Sequence, residues 1–260
     1  EADSYYPDEI AAPSEGRKEG ARHHRHWHDF AEKNLFGIEI NEQIARTAKM
    51  NMIIHDDGHT NVVAADGLLP PDELAKKTGN KEFKANGFDF IITNPPFGSS
   101  VRQTEQAYFH QYRLANKSAD WLNPNSKAAQ RPAQDTESLF IEQCHTYLRP
   151  GGYLAMVIPD GILTNSSLQY VRDQIESLYR IVAVVSMPQT AFAATGAGVK
   201  SSVLFLRKHS AQQTKSIEDL RQSLQDSIKA KHGFTKKLAA LEQSKKDTLK
   251  KKTGFSDAEL

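Results

Sequence analysis

Residues 88–98 read Phe-Asp-Phe-Ile-Ile-Thr-Asn-Pro-Pro-Phe-Gly, an apolar run that ends on two consecutive prolines. The stretch Phe88–Thr93 suits a strand buried inside a sheet. Asn94-Pro95-Pro96-Phe97-Gly98 has to leave the sheet, because paired prolines offer no N–H to a central ladder. Working outward, Leu35–Ile40 and Asn61–Ala65 are further short apolar runs, the second closed by Asp66-Gly67 and then Pro70-Pro71. Between them Asn41 is positioned as an N-cap, with Ile44, Ala45, Ala48 and Met52 at helical spacing. Downstream, Leu139, Phe140, Cys144 and Leu148 mark a helix with Asp135, Thr136 and Glu137 as capping candidates, and Pro150-Gly151-Gly152 is expected to end it. Tyr153–Ile158 reads as a strand, Val171, Ile175 and Leu178 as a helix, and Ile181–Ser186 and Ser202–Leu206 as the last two strands. The alternation predicts an α/β fold with a mostly parallel sheet, helices on both faces and a final antiparallel hairpin. In such folds ligands bind beyond the carboxyl ends of the strands, so the loops after Ala65 and after Thr93 are expected on one rim.

The 260 residues provide room for one full α/β domain or two small ones. With Lys+Arg 33 against Asp+Glu 32 the formal net charge is +1, so bulk charge selects no partner. The distribution is uneven: Arg207–Leu260 holds 13 basic and 7 acidic residues, a basic tail on a mildly acidic body. No apolar run approaches the roughly 20 residues that span a bilayer. The single cysteine, Cys144, excludes an internal disulfide framework and any multi-cysteine zinc site, and a reducing cytoplasm is consistent with it. Three segments are expected: a polar connection or insertion over 1–34, a catalytic domain over 35–208 and a helical tail over 209–260.

The Asn-Pro-Pro-Phe loop carries the sharpest chemical signal. An amine attached to an aromatic ring is a poor nucleophile because its lone pair is delocalised. Two fixed acceptors for its N–H bonds favour a tetrahedral nitrogen and free that pair to attack an electrophilic methyl group. The Asn94 side-chain oxygen and the Pro95 carbonyl can serve as those acceptors, and Pro95 and Pro96 keep the backbone from turning away. Phe97 is placed to stack on the ring face. Glu39, one residue before the end of its strand, can accept two hydrogen bonds from a ribose diol. Asp66 can accept one from an adenine amino group, with Ile40 and Leu68 as apolar contacts to the purine and Gly67 in the turn.

These segments, together with Glu137–Cys144, Tyr147–Leu163 and Ala183–Phe192, resemble the N6-adenine DNA methyltransferases, and among them the methylation (M) subunits of type I restriction-modification systems. The resemblance runs over about residues 33–208. It implies a Rossmann-like S-adenosylmethionine-dependent methyltransferase sheet. In that fold Glu39, Ile40, Asp66, Gly67 and Leu68 would hold S-adenosyl-L-methionine, and Asn94, Pro95, Pro96 and Phe97 the target adenine. It further implies double-stranded DNA as substrate, specificity and restriction subunits as partners, no metal and no membrane. Alternatives are a methyltransferase of a protein glutamine or of guanine in RNA, and an inert DNA-binding or scaffold piece of a restriction complex. One departure is plain. The family's first strand and glycine-rich loop, expected upstream of Glu39, have no counterpart in residues 1–34.

Lesser features are the histidine run at 22–28, the aromatic stretch 99–134 and the lysine-rich end. His24, His26 and His28 would fall on one side of a strand, though no carboxylate or cysteine pattern completes a metal site. Tyr108, Phe109, Tyr112, Arg113, Trp121 and Arg131 are candidates to close over an extruded base. Lys245, Lys246, Lys250, Lys251 and Lys252 form a basic run on one or two helices that pack on a partner or lie in solvent. Cys144 reads as core, which argues against C5-cytosine methylation.

With its glycine loop absent, the 260-residue chain alone is expected to bind S-adenosylmethionine weakly or not at all. Isothermal calorimetry tests this, and micromolar binding would contradict it.

Overall fold

The computed structural model describes residues 26, 28–55, 61–103, 107–123, 126–192 and 198–253, and divides into two units, Glu1–Gly87 and Phe88–Leu260. In the first unit, residues 28–34 are helical. They are followed by β1 (Gly37–Glu39), α1 (Glu42–Ile54), β2 (Val62–Ala64) and α2 (Pro71–Thr78). Helix α1 starts where Asn41 predicts, with the side-chain oxygen accepting the Gln43 and Ile44 N–H groups at 2.9 and 3.2 Å. β1 and β2 pair in parallel, Gly37 opposite Val62 and Glu39 opposite Ala64, which puts Glu39 and Asp66 past adjacent strand ends. Both strands are shorter than the apolar runs that encode them. The core here is small: Ala31, Ala45, Val62, Leu68, Leu74 and Phe83 are buried, and Phe36 meets Phe83 edge-on at 5.5 Å.

The second unit opens on β3 (Phe88–Thr93), the span read from the sequence. After the proline loop come β4 (Ser100–Arg102), two short 3-10 turns at Ala107–Gln111 and Arg113–Ala115, β5 (Asn116–Lys117), β6 (Ala129–Gln130) and β7 (Ala133–Asp135). The remainder alternates: α3 (Thr136–Tyr147), β8 (Leu148–Pro159), α4 (Asp160–Thr164), α5 (Gln169–Leu178), β9 (Tyr179–Ser186), β10 (Ser201–Lys208), α6 (Ala211–Lys231) and α7 (Phe234–Thr253). The larger sheet has the order β3-β8-β10-β9. β3 and β8 are parallel, while β10 runs antiparallel to both β8 and β9. The sheet is therefore mixed, and the last strand to form in sequence lies between its two predecessors. Among the described strands β1 pairs with β2 alone and β3 with β8 alone. The resemblance predicts a further strand at both of those edges.

One face of the larger sheet is closed by α3 and α5. Ile141, Cys144, Leu154, Met156, Ile158, Val171, Ile175, Leu204 and Leu206 form its core. At roughly 1.5–3 kcal/mol per buried aliphatic side chain, that layer is the main source of this unit's stability. The opposite face leaves Phe90 and Ile92 exposed, at 69% and 87%.

Two expectations need correcting. The helix does not run to Pro150: α3 stops at Tyr147 and β8 begins at Leu148, because Gly151 takes φ +81° within an extended segment. The stretch 99–134 is also not an open loop. The β4–β7 and β5–β6 ladders fold it back on itself, and Tyr108, Phe109, Tyr112, Leu114 and Ala115 are buried. The tail is two helices parted at Gly233, whose φ is +56°.

Gly152 lies at a close approach of β3 to β8. A Cβ there would lie 3.0 Å from both the Arg149 and Asp89 carbonyl oxygens and 3.1 Å from Leu148. Gly152→Ala is expected to cost about 1–3 kcal/mol, read as a lower urea midpoint with an unchanged slope.

Candidate active site

The loop leaving β3 has its prolines in unequal settings, Pro95 buried and Pro96 exposed. Asn94 is exposed and Phe97 half-buried, its ring edge-on to Phe192 at 5.8 Å and 84°. Phe192 follows β9, and in the sequence it stands out only as the last residue of the resembling segment Ala183–Phe192. The loop is tied down after Phe97. Gly98 takes φ +71°, and the Ser99 carbonyl accepts both the Thr136 N–H at 2.9 Å and the Thr136 hydroxyl at 3.0 Å. Ser100 then pairs with Asp135 in the β4–β7 ladder. The loop that ends β3 is thus pinned to the first turn of α3.

Glu137 in that turn is the residue that sequence reasoning undervalued. It reads as an ordinary acid near a helix N-terminus, a favourable but exposed position. In the structure it is buried at 6% exposure, and Oε2 has no hydrogen-bond partner among the described residues. Burial, with the Asp135 charge adding to it, holds this carboxyl above the usual carboxylate range. Asp135, the N-cap by position, makes no side-chain cap bond.

Nearby strand ends are also braced. Asp160 Oδ1 accepts the Ser202 hydroxyl at 2.7 Å, and the Asp160 N–H donates to the Lys200 carbonyl at 2.9 Å. The Lys200 ammonium donates to the Ser186 hydroxyl at 2.7 Å and to the Met187 carbonyl. The ends of β8, β9 and β10 on this side are therefore held together by polar contacts.

In the first unit, Glu39 Oε1 accepts the Asn41 N–H at 2.8 Å, while Oε2 makes no hydrogen bond among the described residues. Asp66 Oδ1 accepts the Leu68 N–H at 2.9 Å, an Asx turn that shapes the Asp66-Gly67-Leu68 corner. Ile40 is exposed at 71%, whereas the Leu68 side chain is buried at 2%. A carboxylate oxygen that can accept from ribose hydroxyls and an exposed aliphatic side chain for a purine face lie together at the end of β1. The residues present fit that group on the side of Glu39 and Ile40.

The aromatic stretch lies differently from expectation. Tyr108, Phe109 and Tyr112 are core residues. Arg113 pairs with Glu218 at 3.8 Å, Arg131 stacks on the Tyr170 ring at 3.9 Å, and the partly exposed Trp121 faces the Lys229 ammonium at 5.5 Å. None of the six is a free clamp. His24 lies outside the described residues. His28 is on a helix rather than a strand, where it groups with Asp29 and Glu32 on an exposed face. Among the described residues no helix is long and apolar enough to cross a membrane.

The fold and the proline loop define an α/β protein of the Rossmann-like methyltransferase class. The sequence matches the family model described as N-6 DNA Methylase over residues 19–256, and the chain belongs to that family. It is 27% identical over 181 residues to the type I restriction enzyme MpnII methylase subunit of Mycoplasma pneumoniae, covering 68% of this chain and 31% of that protein. It is 26% identical over 183 residues to the StySPI methylase subunit of Salmonella potsdam, covering 69% and 29%. A solved structure of a type I restriction-modification system superposes at a TM-score of 0.51 with 20% identity, covering 78% of this chain and 34% of that one. The chain spans about three-tenths of the length of these curated relatives.

Cys144 sits in the core with its thiol pushed up to about 12 by burial, which leaves no thiolate for nucleophilic chemistry at neutral pH. Native protein is expected to resist thiol-disulfide reagents and to react with one equivalent on denaturation. Rapid labelling of the native state would contradict this.

Proposed function

We propose that this chain forms the catalytic part of an enzyme that methylates N6 of an extruded adenine in double-stranded DNA. The observation that carries the reading is the Asn94–Phe97 loop, held rigid at the carboxyl end of β3 by its two prolines and by its anchorage on α3. The Asn94 side-chain oxygen and the Pro95 carbonyl take the two N–H bonds of the adenine amine, drawing its lone pair out of the ring. Phe97, braced by Phe192, lies against the purine face and fixes the amine in line for attack. S-adenosyl-L-methionine supplies an electrophilic methyl group on a sulfonium. The nitrogen pair forms the new N–C bond as the S–C pair returns to sulfur, and the amine then releases one proton. Glu39 and Ile40 would hold the ribose and purine of that cofactor, with Asp66, Gly67 and Leu68 shaping the corner beside them. The reaction needs neither a metal nor a covalent enzyme intermediate.

The same reading assigns 35–208 to catalysis, 1–34 to a polar connection or insertion and 209–260 to a basic helical tail. Specificity and restriction subunits of a type I-like system are the partners it implies, and the cytoplasm is the setting. Family membership and the methylase-subunit relatives support this assignment.

The test is methyl transfer from labelled S-adenosylmethionine, using the enzyme isolated with its native partners and acceptors of DNA, RNA and protein. Label is expected as N6-methyladenine in DNA. Asn94→Ala is expected to lower kcat by about 10²–10³-fold with little change in DNA affinity, the usual loss for a preorganised polar contact to the reacting group. Transfer to a protein glutamine or to guanine in RNA in preference to DNA would overturn the assignment.

A further inference from the structure

We propose that one row of residues across the open face of the larger sheet binds a single-stranded segment of DNA, a phosphate at Arg180 and Arg207 and an unpaired base against Phe90 and Tyr153. The inference rests on the DNA reading above for the identity of the polymer, and on the sheet itself for the site.

Strands β3, β8, β10 and β9 bring these four side chains into line. Phe90 lies opposite Tyr153, Tyr153 opposite Arg207, and Arg207 opposite Arg180. The Phe90 and Tyr153 rings are stacked, with centroids 5.6 Å apart and planes 12° from parallel, and they are 69% and 39% exposed. The Arg207 guanidinium carbon stands 5.5 Å from the centre of the Tyr153 ring, and its Nε donates to the Gly151 carbonyl at 3.2 Å. Tyr153, Arg180, Val182 and Arg207 line an open hollow of about 220 Å³. The next row on the same face, Ile92, Ala155, Phe205 and Ala183, carries no charge.

Like charges directly opposite each other on antiparallel strands work against the pairing. Among the described residues neither guanidinium is paired with a carboxylate, and Asp89, the acid beside Phe90, is already held by Arg149. A phosphate between the two arginines removes the repulsion, and the guanidinium fork matches its oxygens. A protein layer laid on this row would instead bury two cations without partners, a costly arrangement. The aromatic pair next to them supplies the flat apolar surface that an unpaired base requires. Cationic groups and exposed rings on one sheet face are the combination by which single strands are held. A duplex keeps its bases stacked on one another, so it can use the phosphate contact but not the ring. Along β3 the row lies four residues before Asn94, roughly 13 Å of extended chain. It is therefore a second contact with the nucleic acid, separate from the Asn94–Phe97 loop.

The test uses the enzyme isolated with its native partners and a fluorescein-labelled oligodeoxythymidylate, with binding followed by anisotropy at several salt concentrations. Arg180→Ala combined with Arg207→Ala is expected to weaken binding about tenfold or more at low salt. It should also flatten the slope of log K against log salt by about 0.7, the loss of one phosphate contact on a single strand. Phe90→Leu keeps an apolar side chain without a ring. It is expected to weaken single-strand binding about fivefold or more, with the slope unchanged and duplex binding unaffected. The arginine variant should unfold at the same urea concentration as the unaltered protein or a higher one, since it removes opposed charges. Unchanged affinity and slope in the arginine variant would overturn the proposal. So would a lowered urea midpoint, which would make the guanidiniums part of the fold. Loss of a partner subunit on Phe90→Leu, with single-strand binding intact, would give the face to that subunit instead and overturn it as well. Should the unaltered enzyme transfer no methyl group to DNA, the methyl-transfer reading fails, while the binding data still decide this site.

Discussion

Two prolines in succession remove the backbone donors from the chain at the point where β3 ends. That constraint governs the rest of the second unit. A strand that continued would need N–H groups for its ladder, and a loop that moved freely would not hold two acceptors at a fixed separation. The chain meets both demands by taking its anchors after the prolines, at Ser99 and Ser100. Both partners lie at or just before the start of α3: Thr136 and Asp135. The geometry of a loop carried by a strand is thus set by the start of a helix nearly forty residues later in the sequence.

That arrangement explains why α3 is so polar and yet buried. Thr136, Glu137, Ser138, Glu142 and Gln143 are all below 9% exposure, which an amphipathic helix on the edge of a sheet would not show. The apolar side, with Leu139, Ile141 and Cys144, faces the sheet or its core. On the other side, Glu142 and Gln143 find partners in the folded stretch 99–134 and on α5. The Glu142 carboxylate accepts the Leu114 N–H at 3.3 Å and the Gln174 amide at 2.7 Å, and the Tyr112 hydroxyl donates to Gln143 at 3.0 Å. Burial raises the Glu142 carboxyl even with these donors in place. The long excursion after the proline loop is therefore a second wall for α3, with Tyr108, Phe109 and Tyr112 buried and Trp121 left exposed.

Much of the framework was legible in the residues because it depends on local rules. Asn41 caps α1, Phe88–Thr93 is a strand to the residue, Gly233 divides the tail, and Cys144 is core. What escaped depends on non-local pairing. Residues 99–134 lack a period because their order comes from two short ladders and from packing on α3, neither of which leaves a repeat. β8 begins earlier than Pro150 and Gly151 suggest, because a positive φ at Gly151 lets an extended segment absorb both. The histidines at 26 and 28 were read at strand spacing, whereas the segment around His28 is helical and turns successive side chains by about 100°. At the site, Asn94, Pro95, Pro96 and Phe97 announce themselves by type and spacing. The Phe192 contact with Phe97 and the burial of Glu137 do not, since each depends on neighbours that only the fold supplies.

The two ends of α3 manage buried polarity in opposite ways. At its C-terminal end the Lys208 ammonium, brought in by β10, donates to the His145 and Leu148 carbonyls at 2.6 and 2.8 Å. A cation there answers carbonyls that a helix leaves unpaired and suits the dipole. The Tyr179 hydroxyl donates to the Ile141 carbonyl at 2.8 Å, one turn earlier. That end packs on the core, with the Tyr147 hydroxyl buried there without a partner among the described residues. At the N-terminal end the helix instead spends its free N–H and side-chain groups on the residues that leave β3, while Glu137 Oε2 and the Ser138 hydroxyl stay without partners among the described residues. Unpartnered buried groups occur toward both ends, the Tyr147 hydroxyl included, but only at the N-terminal end do the helix's own groups hold the residues that leave the proline loop. A helix built only to cover a sheet would have no reason for that asymmetry, whereas one that also holds a reactive loop in register does.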